Sequence, residues 1–311
     1  MAANRAVVVD PEAPGRLIIR EVAEPVPDRS EAVVRVRAIS LNRGEVRRST
    51  MAAAGWRPGW DIAGEVERPA AAGSGPPAGA RVVGLLPEGA WAERVAVPTH
   101  ALAVLPDKVT FSQAATFPVA GLTALHALAK GGLVLGRRVL VTGATGGVGD
   151  FAVQLARLGG AHVTASARRA DQGPALRQLG AHEVLVGEEI PPSPKYDVII
   201  ESLGGKTLGT ALAALGRAGV CVTLGVSASA EVTFDARAFF ATGRATLYGF
   251  YIFSELGSEP ASVGLCRLAD LVAAGQLAPH VSLERPWSEI SQVAQDLMAR
   301  RFPGKAVLTL E

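Results

Sequence analysis

Residues 138–158, RVLVTGATGGVGDFAVQLARL, constrain this chain more than any other stretch. An apolar run ends in a turn carrying Gly143, Gly146 and Gly149 at GxxGxxG spacing, and a run with helical periodicity follows. Strand, glycine turn and helix in that order bring backbone N–H groups and the positive end of a helix to one point. Gly143 permits the tight turn, the Gly146–Gly147 pair lets backbone close on a pyrophosphate, and Gly149 lets helix and strand pack closely. Thr145, Gly146, Gly147, Val148 and Gly149 are therefore expected to cradle a dinucleotide.

The surrounding sequence supports that setting. After Asp107 a helical segment, SQAATFPVAGLTALHALAKGG, is expected with Ser112 as its cap. Strands and helices of about ten residues then alternate through HVTASA, GPALRQLG, EVLV, YDVIIESLG, KTLGTALAALGRAG and VCVTLG. That alternation predicts an α/β unit, a doubly wound parallel sheet of Rossmann type. RATLYGFYIF reads as its last long strand, and two helices and a final strand, GKAVLTLE, close the chain. The first hundred residues differ: short Val- and Ile-rich runs separated by Pro, Gly and Asp predict a compact β-rich unit.

The strand after the glycine turn selects the cofactor. NAD-preferring folds place an acidic residue about twenty positions on, to bind the ribose hydroxyls. Here HVTASARRADQG puts Ser166 and Ala167 at that place, followed by Arg168 and Arg169. Two guanidiniums suit a 2′-phosphate, and Asp171 lies too late in the loop to substitute for the acid. NADP(H) is the expected cofactor, bound by Ser166, Arg168 and Arg169.

Composition narrows the function classes. A net charge of +2 carries no nucleic-acid footprint, and no run nears the roughly 18 apolar residues of a membrane helix. The N-terminus lacks a continuous apolar signal segment, so a cytoplasmic location is expected. Cys221 and Cys266 stand alone in apolar contexts, and both are expected as buried free thiols.

Seven motifs in order resemble the medium-chain dehydrogenase/reductase superfamily, and within it the zinc-free quinone oxidoreductase branch. They are LNRGE (41–45), GWDIAGEV (59–66), AATFPVAGLTALHAL (114–128), VLVTGATGGVGDFAVQLA (139–156), YDVIIESLGG (196–205), LGVSAS (224–229) and GKAVL (304–308). The resemblance spans nearly the whole chain. It implies a GroES-like catalytic domain over 1–112, completed by 250–311, and a Rossmann domain over 113–249, with the active site in the cleft between them. Zinc members carry a cysteine where Asn42 stands and Gly-His-Glu where this chain reads Gly59-Trp60-Asp61. The structural-zinc cysteines are missing from 75–110, and the five histidines show no ligand spacing, so no metal is expected.

Without a Lewis acid, an already electrophilic substrate suits the site: a quinone or an α,β-unsaturated carbonyl accepting hydride. By the resemblance Thr123 lies near the nicotinamide, and Leu203, Gly225, Val226, Phe250, Tyr251 and Lys305 belong with the cofactor. Asn42 is expected to bond the substrate carbonyl or the nicotinamide ribose, with Thr123 and Tyr251 as further catalytic candidates. Trp56, Trp60 and Tyr248 are read as pocket walls. Related enoyl reductases use a tyrosine after the asparagine loop, but 43–60 contain none. The apolar RATLYGFYIF edge predicts a homodimer. The alternatives are an enoyl-thioester reductase, which the arginines at 43, 47, 48 and 57 keep open, and a non-catalytic NADPH-binding protein.

Overall fold

The computed structural model describes residues 4–310. It divides into two compact units, one comprising the chain up to Leu122 and from Leu256 onward, the other Thr123–Glu255. Both crossings fall later than the boundaries read from the sequence. The reason at the first is a helical run that continues from Phe111–Ala115 through a π-helical turn, Phe117–Gly121, into Leu122–Lys130.

The first unit is built on the strand Glu31–Ser40, whose apolar positions are buried while Arg35 stays exposed. It pairs antiparallel with Asp61–Arg68, Arg94–Pro98 and Lys305–Thr309. Arg35 and Arg37 meet Glu67 and Glu65 of the neighbouring strand, opposite-charge pairs that fix register more than they add stability. The sheet continues through Arg81–Leu85 to Leu102–Val104 on one side, and through Lys305–Thr309 to Val281–Pro286 on the other. A separate hairpin joins Asn4–Val9 to Leu17–Val22. Trp91 is fully buried in this unit's core, together with Ile39, Leu41, Ile62 and Leu308.

Three elements here depart from the sequence reading. The strand Val281–Pro286 carries Ser282, Glu284 and Arg285 on an exposed edge, so its composition hides it. Helix Arg43–Met51 hides behind three arginines, yet its inner face buries Glu45, Val46 and Ser49. The cap of helix Phe111–Ala115 is Thr110 rather than Ser112. Thr110 Oγ1 accepts from the Gln113 backbone N–H at 3.1 Å, and Gln113 Oε1 accepts from the Thr110 N–H at 3.0 Å. That reciprocal pair satisfies two orphan donors at once, whereas Ser112 donates to Glu284 at 2.7 Å.

The second unit is a six-stranded sheet, parallel throughout. Its spatial order is Glu183–Val186, His162–Ala167, Arg138–Val141, Tyr196–Glu201, Leu215–Thr223 and Thr246–Gly249. Counted along the chain within this unit, the order is 3-2-1-4-5-6, that of a doubly wound dinucleotide fold. The order reverses between Arg138–Val141 and Tyr196–Glu201, beside the glycine turn.

The long strand expected over RATLYGFYIF is only Thr246–Gly249, and Ile252–Glu255 is already a short helix. There the chain folds back, and the Tyr248 hydroxyl donates to Glu255 Oε1 at 2.6 Å. Cys221 is buried as expected, but Cys266 is exposed on the outer face of helix Ala261–Ala273. No helix among the described residues is long and apolar enough to cross a membrane.

Candidate functional site

In the second unit the strand Arg138–Val141 gives way to a turn at Thr142, and helix Gly147–Leu158 begins after Gly146. Gly143 adopts φ +56°, a left-handed conformation that a side chain strains. Gly149 is required by contact instead: a Cβ there would lie 2.4 Å from Gly143 O and 2.6 Å from Ala144 Cα, both backbone. The helix thus starts against the turn, and Gly146 is exposed at its N-terminus. Main-chain N–H groups at such a helix start can hold an anion.

Buried side chains hold this turn in shape. Glu201, missed in the sequence reading, accepts from the N–H groups of Leu203 and Gly204 and from Thr142 Oγ1. Burial pushes its carboxyl above the usual carboxylate range, against those hydrogen bonds. Ser202 bonds Thr142 on one side, and its carbonyl accepts from Ser227 on the other. Asp150, in the first turn of the helix, accepts from Gln154 at 2.8 Å, and burial pushes its carboxyl up to about 7.

The other cofactor candidates of this unit fall at the same ends of successive strands. Ser166 is buried near the end of His162–Ala167, and its carbonyl accepts from Ala144 N–H at 3.2 Å. Arg168 and Arg169 follow it, both exposed. Arg169 is already bonded to Asp171, at 3.0 and 2.9 Å. Both partners of that pair are about two-thirds exposed, so a stronger anion displaces it at little cost. Leu203 follows Tyr196–Glu201, Gly225 and Val226 follow Leu215–Thr223, and Phe250 and Tyr251 follow Thr246–Gly249. Phe250 is buried and Tyr251 is 58% exposed. Thr123 is buried in helix Leu122–Lys130. Tyr248 does not stand open: besides Glu255, the Lys130 ammonium lies 4.9 Å from its ring centroid.

In the first unit, four side chains from three strands and a helix start form one polar cluster. Asp61 is fully buried, and its Oδ2 accepts from Ser40 Oγ at 2.6 Å, Asn42 Nδ2 at 2.7 Å and Lys305 Nζ at 3.1 Å. Its Oδ1 accepts from the Val119 N–H at 2.9 Å. Lys305, 4% exposed, also donates to Asn42 Oδ1 at 2.6 Å and Leu41 O at 3.0 Å. Its three hydrogens are thereby all engaged, within this unit, where a cofactor contact was expected.

Asn42 caps helix Arg43–Met51. Glu45 Oε1 accepts from its backbone N–H at 2.7 Å and from its Nδ2 at 2.9 Å. An ammonium only donates and a carboxylate oxygen accepts, so the amide orientation is forced: oxygen to Lys305, nitrogen to Glu45 and Asp61. Burial, then the Asp61 carboxylate, push Glu45 well above the usual carboxylate range, against the pull of Lys305 and Asn42. Glu45 Oε2 is buried and has no hydrogen-bond partner among the described residues. Sequence spacing offered one signal for this residue, since Asn42 and Glu45 stand in capping-box register.

Trp60 lies against the start of the same helix, its ring tip 2.9 Å from where a Gly44 Cβ would stand. Trp56 lines an open cleft of about 330 Å³ with Arg48, Met51, Ala52 and Ala53. Its indole N–H donates to Glu88 at 3.1 Å, and Arg48 stacks 4.7 Å from its ring centroid. Among the described residues, no group of three His, Cys, Asp or Glu side chains is arranged to hold a metal ion.

Residues 28–107 match the model of the alcohol dehydrogenase GroES-like domain, and 147–264 match that of zinc-binding dehydrogenases. A chloroplastic quinone-oxidoreductase homolog of Spinacia oleracea is 34% identical over 239 residues, 69% of this chain and 72% of that protein. The chain belongs to the medium-chain dehydrogenase/reductase superfamily, in its quinone oxidoreductase-like branch. Human quinone oxidoreductase is 28% identical over 307 residues, covering 93% of this chain and 92% of that one. The superfamily architecture is equally clear in a mycobacterial protein solved in complex with NADPH. It shares 25% identity and a TM-score of 0.88, over 98% of this chain and all of the other.

Proposed function

We propose that this chain is a zinc-independent, NADPH-dependent oxidoreductase that transfers hydride to a quinone or an α,β-unsaturated carbonyl. The observation that carries the reading is the closed Asn42–Asp61–Lys305 network. Where the superfamily's zinc members carry a cysteine and a Gly-His-Glu, this chain has Asn42 and Gly59-Trp60-Asp61, and its Asn42 amide and Asp61 carboxylate are already bonded to each other and to the Lys305 ammonium. A metal ion there would have to displace the resident ammonium. The substrate must therefore be a good electrophile by itself.

The residues of the second unit fit NADPH. The Gly146–Gly149 cradle offers main-chain donors to a pyrophosphate, and Arg168 and Arg169 are exposed one strand away for a 2′-phosphate. When bound, NADPH supplies the hydride. What the chain adds is position and a proton. Tyr251, exposed and without a hydrogen bond to its hydroxyl among the described residues, is the proton donor of this reading. Tyr248 is engaged by Glu255. Asn42 has both amide hydrogens engaged, so it organises the cluster in preference to donating to substrate. The mycobacterial relative's NADPH and the quinone oxidoreductase names of the spinach and human proteins support this reading.

The test is consumption of NADPH, against NADH, with quinones, alkyl enones, enoyl-thioesters and saturated ketones side by side, before and after exhaustive chelation. The expected result is turnover of quinones or enones with NADPH, unaffected by chelation. Stoichiometric NADPH binding with no turnover of any acceptor would leave a cofactor-binding protein. Rapid turnover of saturated ketones or loss of activity on chelation would reject the electrophile argument.

A further inference from the structure

In a parallel sheet all strands start at the same end, so the residues that precede the strands of the second unit lie together. That end is opposite the glycine turn, and it carries a row of cations. Arg137 precedes Arg138–Val141, Lys195 precedes Tyr196–Glu201, and Arg244 comes just before Thr246–Gly249. Arg217 lies at the bulged start of Leu215–Thr223. Arg157 and Arg177 reach the same end from the last turns of helices Gly147–Leu158 and Gly173–Gln178. All of these side chains belong to exposed residues. Across six strands at a spacing of about 4.8 Å, the row is about 24 Å long.

These cations have no counter-charges. Arg137 donates to Gly131 O at 3.2 Å, Arg177 to His182 O at 2.9 Å and Lys195 to Ala213 O at 2.5 Å, all main-chain carbonyls. Among the described residues, none of the row is paired with a carboxylate. The acids of this end serve other groups. Glu183 bonds His162 Nε2 at 3.1 Å and lies 3.7 Å from the Arg138 guanidinium, and Asp197 accepts from the Arg138 N–H at 2.9 Å. Lys130 is taken by Glu255. Exposed arginines of the first unit are neutralised instead, as Arg5 is by Glu93, Arg20 by Asp10, Arg267 by Glu259 and Arg301 by Asp296. A net charge of +2 thus hides one strongly positive end.

An apolar tip stands within the row. The turn at 131–137 leads into the inner strand Arg138–Val141 and leaves Leu133 75% and Leu135 67% exposed. Gly136 N–H donates to Gly160 O at 2.9 Å, which sets the tip beside the end of helix Gly147–Leu158, where Leu158 is also exposed. Side chains this open bury little area on folding, so the core does not explain leucine at a turn tip.

We propose that this end of the second unit docks on an anionic lipid surface. The leucines enter the headgroup region, and the flanking cations meet the anionic headgroups. Apolar contact and electrostatic attraction are the two contributions on which peripheral membrane binding rests. A nucleic acid or an acidic protein would engage the cations and leave the leucines in water. The glycine turn stands at the other ends of the strands, so docking leaves it uncovered. The inference is independent of the oxidoreductase reading, because binding is measured without turnover.

Co-sedimentation of the full chain with vesicles tests it, using phosphatidylcholine alone or with about one-third phosphatidylserine. The chain should bind the anionic vesicles at low salt, be released as salt rises, and stay in solution with the neutral ones. Arg137→Gln combined with Arg217→Gln should lower the partition coefficient about 10- to 30-fold, at about five-fold per cation. Leu133→Ser combined with Leu135→Ser should lower it about 10-fold. On immobilised heparin the leucine variant should elute with the parent and the arginine variant earlier. Absence of binding to anionic vesicles at low salt overturns the proposal. So does a leucine variant that binds them as tightly as the parent, which would leave a surface for polyanions alone. Thermal melts by circular dichroism show that each variant is folded, and the parent's preference between the two vesicle types is read without any variant.

Discussion

Lys305 shows at the scale of one residue how a surface-type side chain becomes structural. Its ammonium is 4% exposed and pairs with a fully buried Asp61 at 3.1 Å. Such a pair is near break-even against apolar replacement of both partners, but losing one leaves an uncompensated buried charge. Lys305→Met is therefore expected to destabilise the fold by about 3–5 kcal/mol, measured by denaturant unfolding. A change below 1 kcal/mol would mean that the pair is solvated. Asp150 gives the pH dependence. Its position in the first turn of a helix favours the charged form, but burial wins and raises the carboxyl to about 7. Below its unfolded value both states hold the proton and stability is intact. Between the unfolded value of 3.8 and about 7 the unfolded chain ionises while the folded carboxyl keeps its proton, so the contribution is lost across that window and the loss is complete above about 7. The loss is on the order of 4 kcal/mol. Asp150→Asn, which cannot ionise, should flatten the fall in melting temperature between about pH 4 and about pH 7. An identical slope in parent and variant would contradict the assignment.

At the scale of elements, the glycine turn joins local sequence to packing. Gly149 stands where helix Gly147–Leu158 approaches the turn, and the atoms a Cβ would strike are main chain and unable to rotate away. Gly149→Ala is expected to push the helix start outward, at a cost of about 1–3 kcal/mol in stability. NADPH affinity should fall with it, because the same N–H groups shift. Calorimetric titration alongside thermal unfolding checks both, and full NADPH affinity in the variant would show that the cradle is made elsewhere. Element by element, the strands and helices from Arg138 to Thr223 were legible because period and punctuation agree there. Helix Arg43–Met51 and strand Val281–Pro286 were not, since each puts charged residues outward and contributes few apolar side chains. The length of the strand at Thr246–Gly249 was overestimated for the opposite reason. Its apolar run continues past the point where a tertiary bond, Tyr248 to Glu255, turns the chain.

For the whole molecule, Thr246–Gly249 forms one edge of the six-stranded sheet. Leu247 is 40% exposed there, and Phe240 nearby in sequence is 73% exposed. An open apolar edge invites pairing, and the pairing that closes is with a second copy about a two-fold axis. A homodimer is the expected state in solution by light scattering at micromolar concentration. Leu247→Lys, which places a charge at that edge, should shift it toward monomer. A monomeric parent protein would refute the proposal.

The layer architecture of the second unit is legible in the linear chain. Its βα alternation and glycine spacing are local properties, and helix and strand periods report burial directly. Also legible there are the missing acid at the end of His162–Ala167 and the missing metal-ligand residues at Asn42 and Trp60, which are matters of residue identity. Which polar groups meet follows from packing between distant segments. Asp61 and Lys305 are 244 positions apart and touch because Glu31–Ser40 lies between their strands and pairs with both. That contact turned Lys305 from a cofactor candidate into a buried partner, and engaged the amide of Asn42. Whether a charge is satisfied depends on distant residues, and a linear sequence does not encode that proximity in any local period.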